Sequence, residues 1–146
     1  SYTPENYPIL RYGDVLLMLA EAENEAHQGP TDLAYECINE IRQRAGIFKL
    51  EGLSYTDFQQ AVRDERAREL CFESLRKYDL VRWGIYVEAV HDKLGAATQD
   101  KRWATGNQFI GARDYAARTQ EKHQFLPIPT KELDVNGKLE QNKYWQ

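Results

Sequence analysis

ERARELCFESLRKYDLVRWG, residues 65–84, sets Glu65, Arg66 and Glu69 among Leu70, Phe72, Leu75, Leu80 and Trp83. Whether those acids are chemistry or scaffolding decides how the whole chain is read. At ~100° per residue, Phe58, Val62, Glu65, Glu69, Phe72 and Arg76 share one helical face, so the acids interrupt an apolar stripe. Like charges one turn apart repel, and burying them costs far more unless cations pair them. Arg42 and Arg44 in INEIRQRAG, and Arg76 and Arg82 farther along, are the available partners. An arginine fork satisfies a carboxylate bidentately, so the pattern predicts an inter-helix Glu/Arg network. A glycosidase also uses two carboxylates, but they face each other across a bound sugar, about 5 to 9 Å apart in a cleft. Neighbours on one flank of a helix do not offer that.

Working outward, YGDVLLMLAEAENEAH carries Val15, Leu16, Met18, Leu19, Ala22 and Ala26 at helical spacing, and Gly29-Pro30 ends the run. Thr31 is an N-cap for a second helix through Ala45, with Ala34, Ile38, Ile41 and Ala45 on one stripe and Gly46 as its terminal glycine. The short link predicts an antiparallel hairpin. Thr56 opens a capping box with Gln59, and the periodic pattern continues to about Leu75. A fourth helix is expected over 78–94, with a bend near Arg76 to Asp79 closing a second hairpin. Small residues Ala20, Ala22, Ala34 and Ala45 suit close helix approach. The expected fold is all-α, built of tetratricopeptide-like hairpins. Beyond Leu94 the periodicity fails, and 95–124 reads as a long irregular loop. Pro127 and Pro129 then impose an extended C-terminal path, followed by a helical turn at Thr130 to Leu133.

A chain of 146 residues suits one domain, 1–146. Its 42% hydrophobic and 12% aromatic content is too rich for disorder. A net charge of −4 with no concentrated basic face implies no nucleic-acid partner. Cys37 and Cys71 form no CxxC and are expected to be two small buried hydrophobes. His27, His91 and His123 lie in separate elements, so no metal site is expected, and no phosphate loop or nucleophile with a fixed base points to a cofactor or a catalytic residue. No apolar run approaches ~18 residues. The opening SYTPEN, without an initiating methionine, is what a piece of a longer protein would show.

RYGDVLLMLAEAENEA, INEIRQRAG, RDERARELCFESLRKYDLVRWG, FLPIPTKEL and LEQN, in this order and spacing, resemble the C-terminal part of the SusD/RagB family. The resemblance covers most of the chain apart from about 95–124. It implies a mostly helical fold with tetratricopeptide-like pairs and a non-catalytic nutrient-binding lipoprotein on the outer face of the outer membrane. It further implies a SusC-like TonB-dependent transporter as partner, an oligosaccharide or in some members a peptide as cargo, and attachment to the membrane only through a lipid anchor absent from this chain. The sequence departs from the family pattern at Gly13, where alanine is usual, at Gly137, where proline is frequent, and at KYW after QN. The matched motifs build the fold, so site residues do not transfer through them.

Sugar recognition needs an aromatic face against the ring and planar polar groups for the hydroxyls. Trp103 in DKRWATGNQF, beside Arg102, Asn107 and Gln108, meets that description, with Tyr115 as a further aromatic. Trp83 is expected in the core. With one platform rather than a pocket, the chain by itself is expected to fold but to bind carbohydrate weakly or not at all. Two other functions stand beside glycan capture: a helical-repeat protein-interaction scaffold, and a two-carboxylate hydrolase using Glu65.

Overall fold

The structure is a computed structural model that describes residues 9–94 and 110–146. It forms two compact units, Ser1–Arg76 and Lys77–Gln146. The described residues are helical or irregular, with no strand among them, which bears out the all-α reading.

In the first unit, α1 (Tyr12–His27) and α2 (Asp32–Arg44) make the expected hairpin, and α3 (Tyr55–Glu69) packs chiefly on α1. The α1 face turned inward is Gly13, Leu16, Leu17, Ala20 and Asn24, at spacings of three and four. Val15, Met18, Leu19, Ala22 and Ala26 lie on the outer side, a correction to the expected stripe. Ala20 and Ala34 are fully buried where a larger residue would hold the helices apart, whereas Ala22 and Ala45 are exposed. Thr31 caps α2 by accepting from the Ala34 amide at 3.1 Å. At the other end, Gly46 with φ 72° lets Ile47 N–H reach back to the Arg42 carbonyl at 3.0 Å, closing α2 as a Schellman turn.

The linker that follows is held by side chains instead of secondary structure. Asn39 accepts from Leu50 N–H at 2.7 Å and donates to Leu50 O at 2.9 Å. The Tyr35 hydroxyl accepts from Leu53 N–H at 2.7 Å, and its ring meets Phe58 edge-on at 5.0 Å. The cap of α3 is Ser54, which accepts from the Asp57 amide at 3.2 Å, so the helix starts before the expected Thr56. Phe58 and Val62 then fill the core between α1 and α2.

α3 stops at Glu69, short of Leu75, and for a visible reason. The Arg11 guanidinium donates to the Glu69 main-chain carbonyl, so one orphan acceptor of the helix end is satisfied by a side chain. The chain leaves through Phe72 (φ 67°) and Ser74 (φ 62°), two left-handed residues that are not glycine. Phe72 is consequently fully exposed and not on the stripe, and Cys71 is exposed while Cys37 is buried.

The second unit replaces the single helix expected over 78–94 with a broken one. α4 (Arg76–Arg82) ends in a second Schellman turn, in which Gly84 with φ 70° lets Ile85 N–H bond to the Leu80 carbonyl at 3.0 Å. A three-residue α5 (Tyr86–Glu88) follows and widens into a π-helix, Ala89–Leu94. The segment 95–124 is not wholly loop: α6 (Ile110–Arg118) and a 3₁₀ turn (Glu121–Gln124) occupy its described part. Leu80, Tyr86, Val90 and Ala116 make the core of this unit, with Trp83 half-buried against it. The PIP segment is extended and leads into α7 (Thr130–Val135).

Candidate functional site

The acids of the opening stretch are struts. Glu65 takes Arg42 at 2.7 Å and Arg68 at 3.5 Å, with its own side chain 4% exposed. Glu69 accepts from Arg11 at 2.5 Å on one oxygen and from Arg44 on the other. Arg11 also spans both oxygens of Glu73, with Nε at 2.9 and 3.0 Å. Arg66 reaches across to the buried Asp14 of α1 at 2.8 Å. Arg42 and Arg44 are thus the partners that the sequence indicated for Glu65 and Glu69, and Arg11 is one it did not. Arg76 instead donates to the Arg63 carbonyl and Arg82 to Asp79. Burial raises the Glu69 pKa, but hydrogen bonds and charge from Arg44 and Arg11 outweigh it, and the net shift is downward. The same anions raise that of Arg11, Glu73 before Glu69. A carboxylate held ionised between two arginines is poorly suited to donate a proton. A hollow of about 380 Å³ beside this network, between α1 and α2, has Arg11 and Arg44 on its wall, both already committed to acids.

The second unit holds a different kind of cavity, about 210 Å³, under Tyr115. α6 places Tyr115, Arg118 and Thr119 at i, i+3 and i+4, one face of the helix. Thr119 closes α6 by returning both its amide, at 3.0 Å, and its hydroxyl, at 2.7 Å, to the Tyr115 carbonyl. His91 of the π-helix hydrogen-bonds the Thr119 carbonyl at 2.8 Å, tying the two elements together. The floor is Tyr86, 2% exposed, whose hydroxyl pairs with that of Tyr115. Burial, then the Tyr115 hydrogen bond, pushes the Tyr86 phenol up to about 12.

The C-terminal tail supplies the facing wall. Trp145 donates its indole N–H to the Lys122 and Phe125 carbonyls, both at 3.0 Å, which pins the ring beside His123 at 5.8 Å between centroids. Phe125 stacks on Tyr144 at 5.4 Å, nearly parallel. His123 accepts from the Gln120 amide on Nδ1 at 2.8 Å, so in the neutral ring Nε2 carries the proton. Lys77 stands over the Tyr86 ring at 5.4 Å. The cleft therefore has aromatic and proline walls, donors at its edge and, among the described residues, no carboxylate in its lining, a surface able to hold a sugar ring by one face.

Of the residues singled out from sequence, Tyr115 lies in this cleft. Trp103, Arg102, Asn107 and Gln108 fall outside the described residues. Arg118, His123, Lys77 and Trp145 were not singled out as ligand contacts. They are scattered along the sequence, from Lys77 to Trp145, and come together only once the tail folds back. Among the described residues no cluster of His, Cys, Asp or Glu could hold a metal ion, and no helix is long and apolar enough to cross a membrane.

Comparison with known proteins gives a consistent answer. The SusD family model matches residues 1–145. SusD-like protein P25 of Formosa agariphila is 40% identical over 139 residues, covering 92% of this chain and 23% of the relative. SusD-like protein P2 of the same organism is 29% identical over 148 residues, covering 94% and 25%. Among solved structures, a SusD homolog from Bacteroides thetaiotaomicron superposes with a TM-score of 0.80 at 39% identity, covering 92% of this chain and 26% of that one. A SusD superfamily protein from Bacteroides vulgatus gives 0.68 at 30% identity, covering 93% and 27%. The chain thus spans about a quarter of the length of the relatives it matches. The continuous match, the shared helical fold and the sequence identity together establish that this chain belongs to the SusD family.

Proposed function

We propose that the chain is part of a non-catalytic binding protein that captures oligosaccharide at the outer face of the outer membrane and delivers it to a TonB-dependent transporter. The observation that carries this reading is the family match over residues 1–145. The transporter partnership, the lipid anchor and the surface location follow from the family resemblance and belong to the longer protein. Within this chain, the Tyr115 cleft offers an aromatic face and edge donors suited to a sugar. Glu65 and Glu69, held by arginines, act as scaffold.

The test is affinity electrophoresis and calorimetry of the full-length parent against a panel of polysaccharides, with an assay for released reducing sugar. Retardation without release is the expected result. Turnover abolished by Glu65→Gln would make the protein an enzyme. Binding of peptides with no glycan retained would replace the cargo. Isolation of the parent from outer membranes should bring a transporter barrel with it, and its consistent absence would separate capture from transport.

A further inference from the structure

We propose that the Tyr115 cleft selects an anionic sugar unit, one bearing a carboxylate or a sulfate, rather than a neutral one. The proposal rests on the glycan-binding reading above and adds the class of sugar. Its ground is a charge imbalance. The chain carries 23 acids against 19 lysines and arginines, yet among the described residues the cleft is lined by Lys77, Arg118 and His123 without a single carboxylate. Among the described residues neither cation is held in a close ion pair. Lys77 rests on the Tyr86 ring at 5.4 Å and makes no ion pair among the described residues. Arg118 meets Asp114 only at 3.9 Å, with both side chains largely in solvent, a contact of small value. The first unit shows the opposite arrangement: Arg11 and Arg44 at its hollow are already neutralised by Glu69 and Glu73.

Size and chemistry narrow the occupant. A volume of about 210 Å³ lies below the ~300 Å³ at which sites for drug-sized ligands begin, so the cleft suits one ring of a longer chain. Tyr115 and Phe125, both substantially exposed, give that ring an apolar surface. Arg118 provides a planar fork matched to a carboxylate or sulfate, and Lys77 a second cation of the same sign. His123, with its proton on Nε2, adds a donor in the same lining.

The experiment is an NMR titration of this chain, reading the Trp145 indole N–H resonance. The probes are two matched pairs: a trigalacturonate with its methyl ester, and a 4-sulfated galactose disaccharide with its desulfated form. The charged member of at least one pair is expected to bind about fivefold tighter than its neutral partner, with the preference lost in about 0.5 M salt. Whichever pair shows the preference identifies carboxylate or sulfate as the group read. Lys77→Gln with Arg118→Gln, both at exposed positions, should reduce the preference to about twofold or less, the charged member losing more affinity than its neutral partner. Equal affinity for charged and neutral members, with both lost on Tyr115→Ala, would overturn the anionic class and leave glycan capture standing. A Trp145 signal unmoved by all four sugars at about 20 mM would overturn the cleft as a sugar site altogether.

Discussion

The side-chain amide of Gln141 makes both main-chain hydrogen bonds of Ile128, accepting from its N–H at 2.9 Å and donating to its carbonyl at 3.0 Å. Ile128 sits between Pro127 and Pro129, neither of which can donate, so the extended PIP segment has no ladder of its own. Gln141 serves as a one-residue strand partner, and Asn142 adds a bond to Leu126 at 3.2 Å. Gln141→Ala leaves two half-buried backbone groups unpaired and should destabilise the second unit by about 1–3 kcal/mol. Hydrogen exchange at the Ile128 amide should accelerate in parallel with the loss seen in urea unfolding.

Asn39 does for Leu50 in the first unit what Gln141 does for Ile128 in the second. Asn39→Ala removes both bonds and should cost about 1–3 kcal/mol, whereas Asn39→Asp sets a buried carboxylate oxygen against the Leu50 carbonyl and should cost at least as much at neutral pH. A melting temperature of Asn39→Ala equal to that of the wild type would mean that the two Leu50 bonds contribute nothing.

Glu69→Ala strands Arg44 and leaves Arg11 with Glu73 alone, but these arginines are 60% and 29% exposed and water recovers part of the loss. A destabilisation of about 1–3 kcal/mol is expected, below the ~3–5 typical of a fully buried broken pair. Urea midpoints measure it.

The Glu69 pKa is depressed below its ordinary 4.5, so the native state holds its proton less tightly than the unfolded chain. Its stabilising contribution is complete above about pH 4.5 and disappears as pH falls through the lower native value. Glu69→Gln should therefore flatten the acid limb of the stability curve below that pH while lowering the plateau above it.

Removing the Tyr115 hydroxyl should lower the Tyr86 pKa. The phenol stands at about 12 through burial first and the Tyr115 hydrogen bond second, so Tyr115→Phe leaves it above the ordinary 10 but short of 12. Ultraviolet titration at the tyrosinate band follows it, and an unchanged midpoint would place the whole shift in burial.

Legibility in the sequence varied with the locality of the signal. α1 and α2 are bounded by residues acting within a few positions, Thr31 and the Gly29-Pro30 pair, and their ends were predictable. α3 runs short because Arg11, distant in sequence, caps its end, and no periodicity encodes that. The interruption at Gly84 has a local cause, but Leu80, Val87 and Val90 keep helical spacing across it and hide it. α6 was hidden differently: IGARDYAAR has little apolar contrast, and of residues 111–118 only Ala116 is buried. The acids were legible as struts because burial physics demands partners, whereas the cleft depends on the tail folding back through Gln141 and Trp145.

Gly13 lies against the carboxylate of Glu69 so closely that a Cβ there would stand 2.7 Å from Oε1 and 3.1 Å from the Arg11 guanidinium. The two positions are therefore epistatic. Alanine at 13 would push the end of the Glu69 side chain off the Arg11 guanidinium, toward Arg44, so the cost of Gly13→Ala should depend on which residue stands at 69 and shrink when that residue is shortened to aspartate.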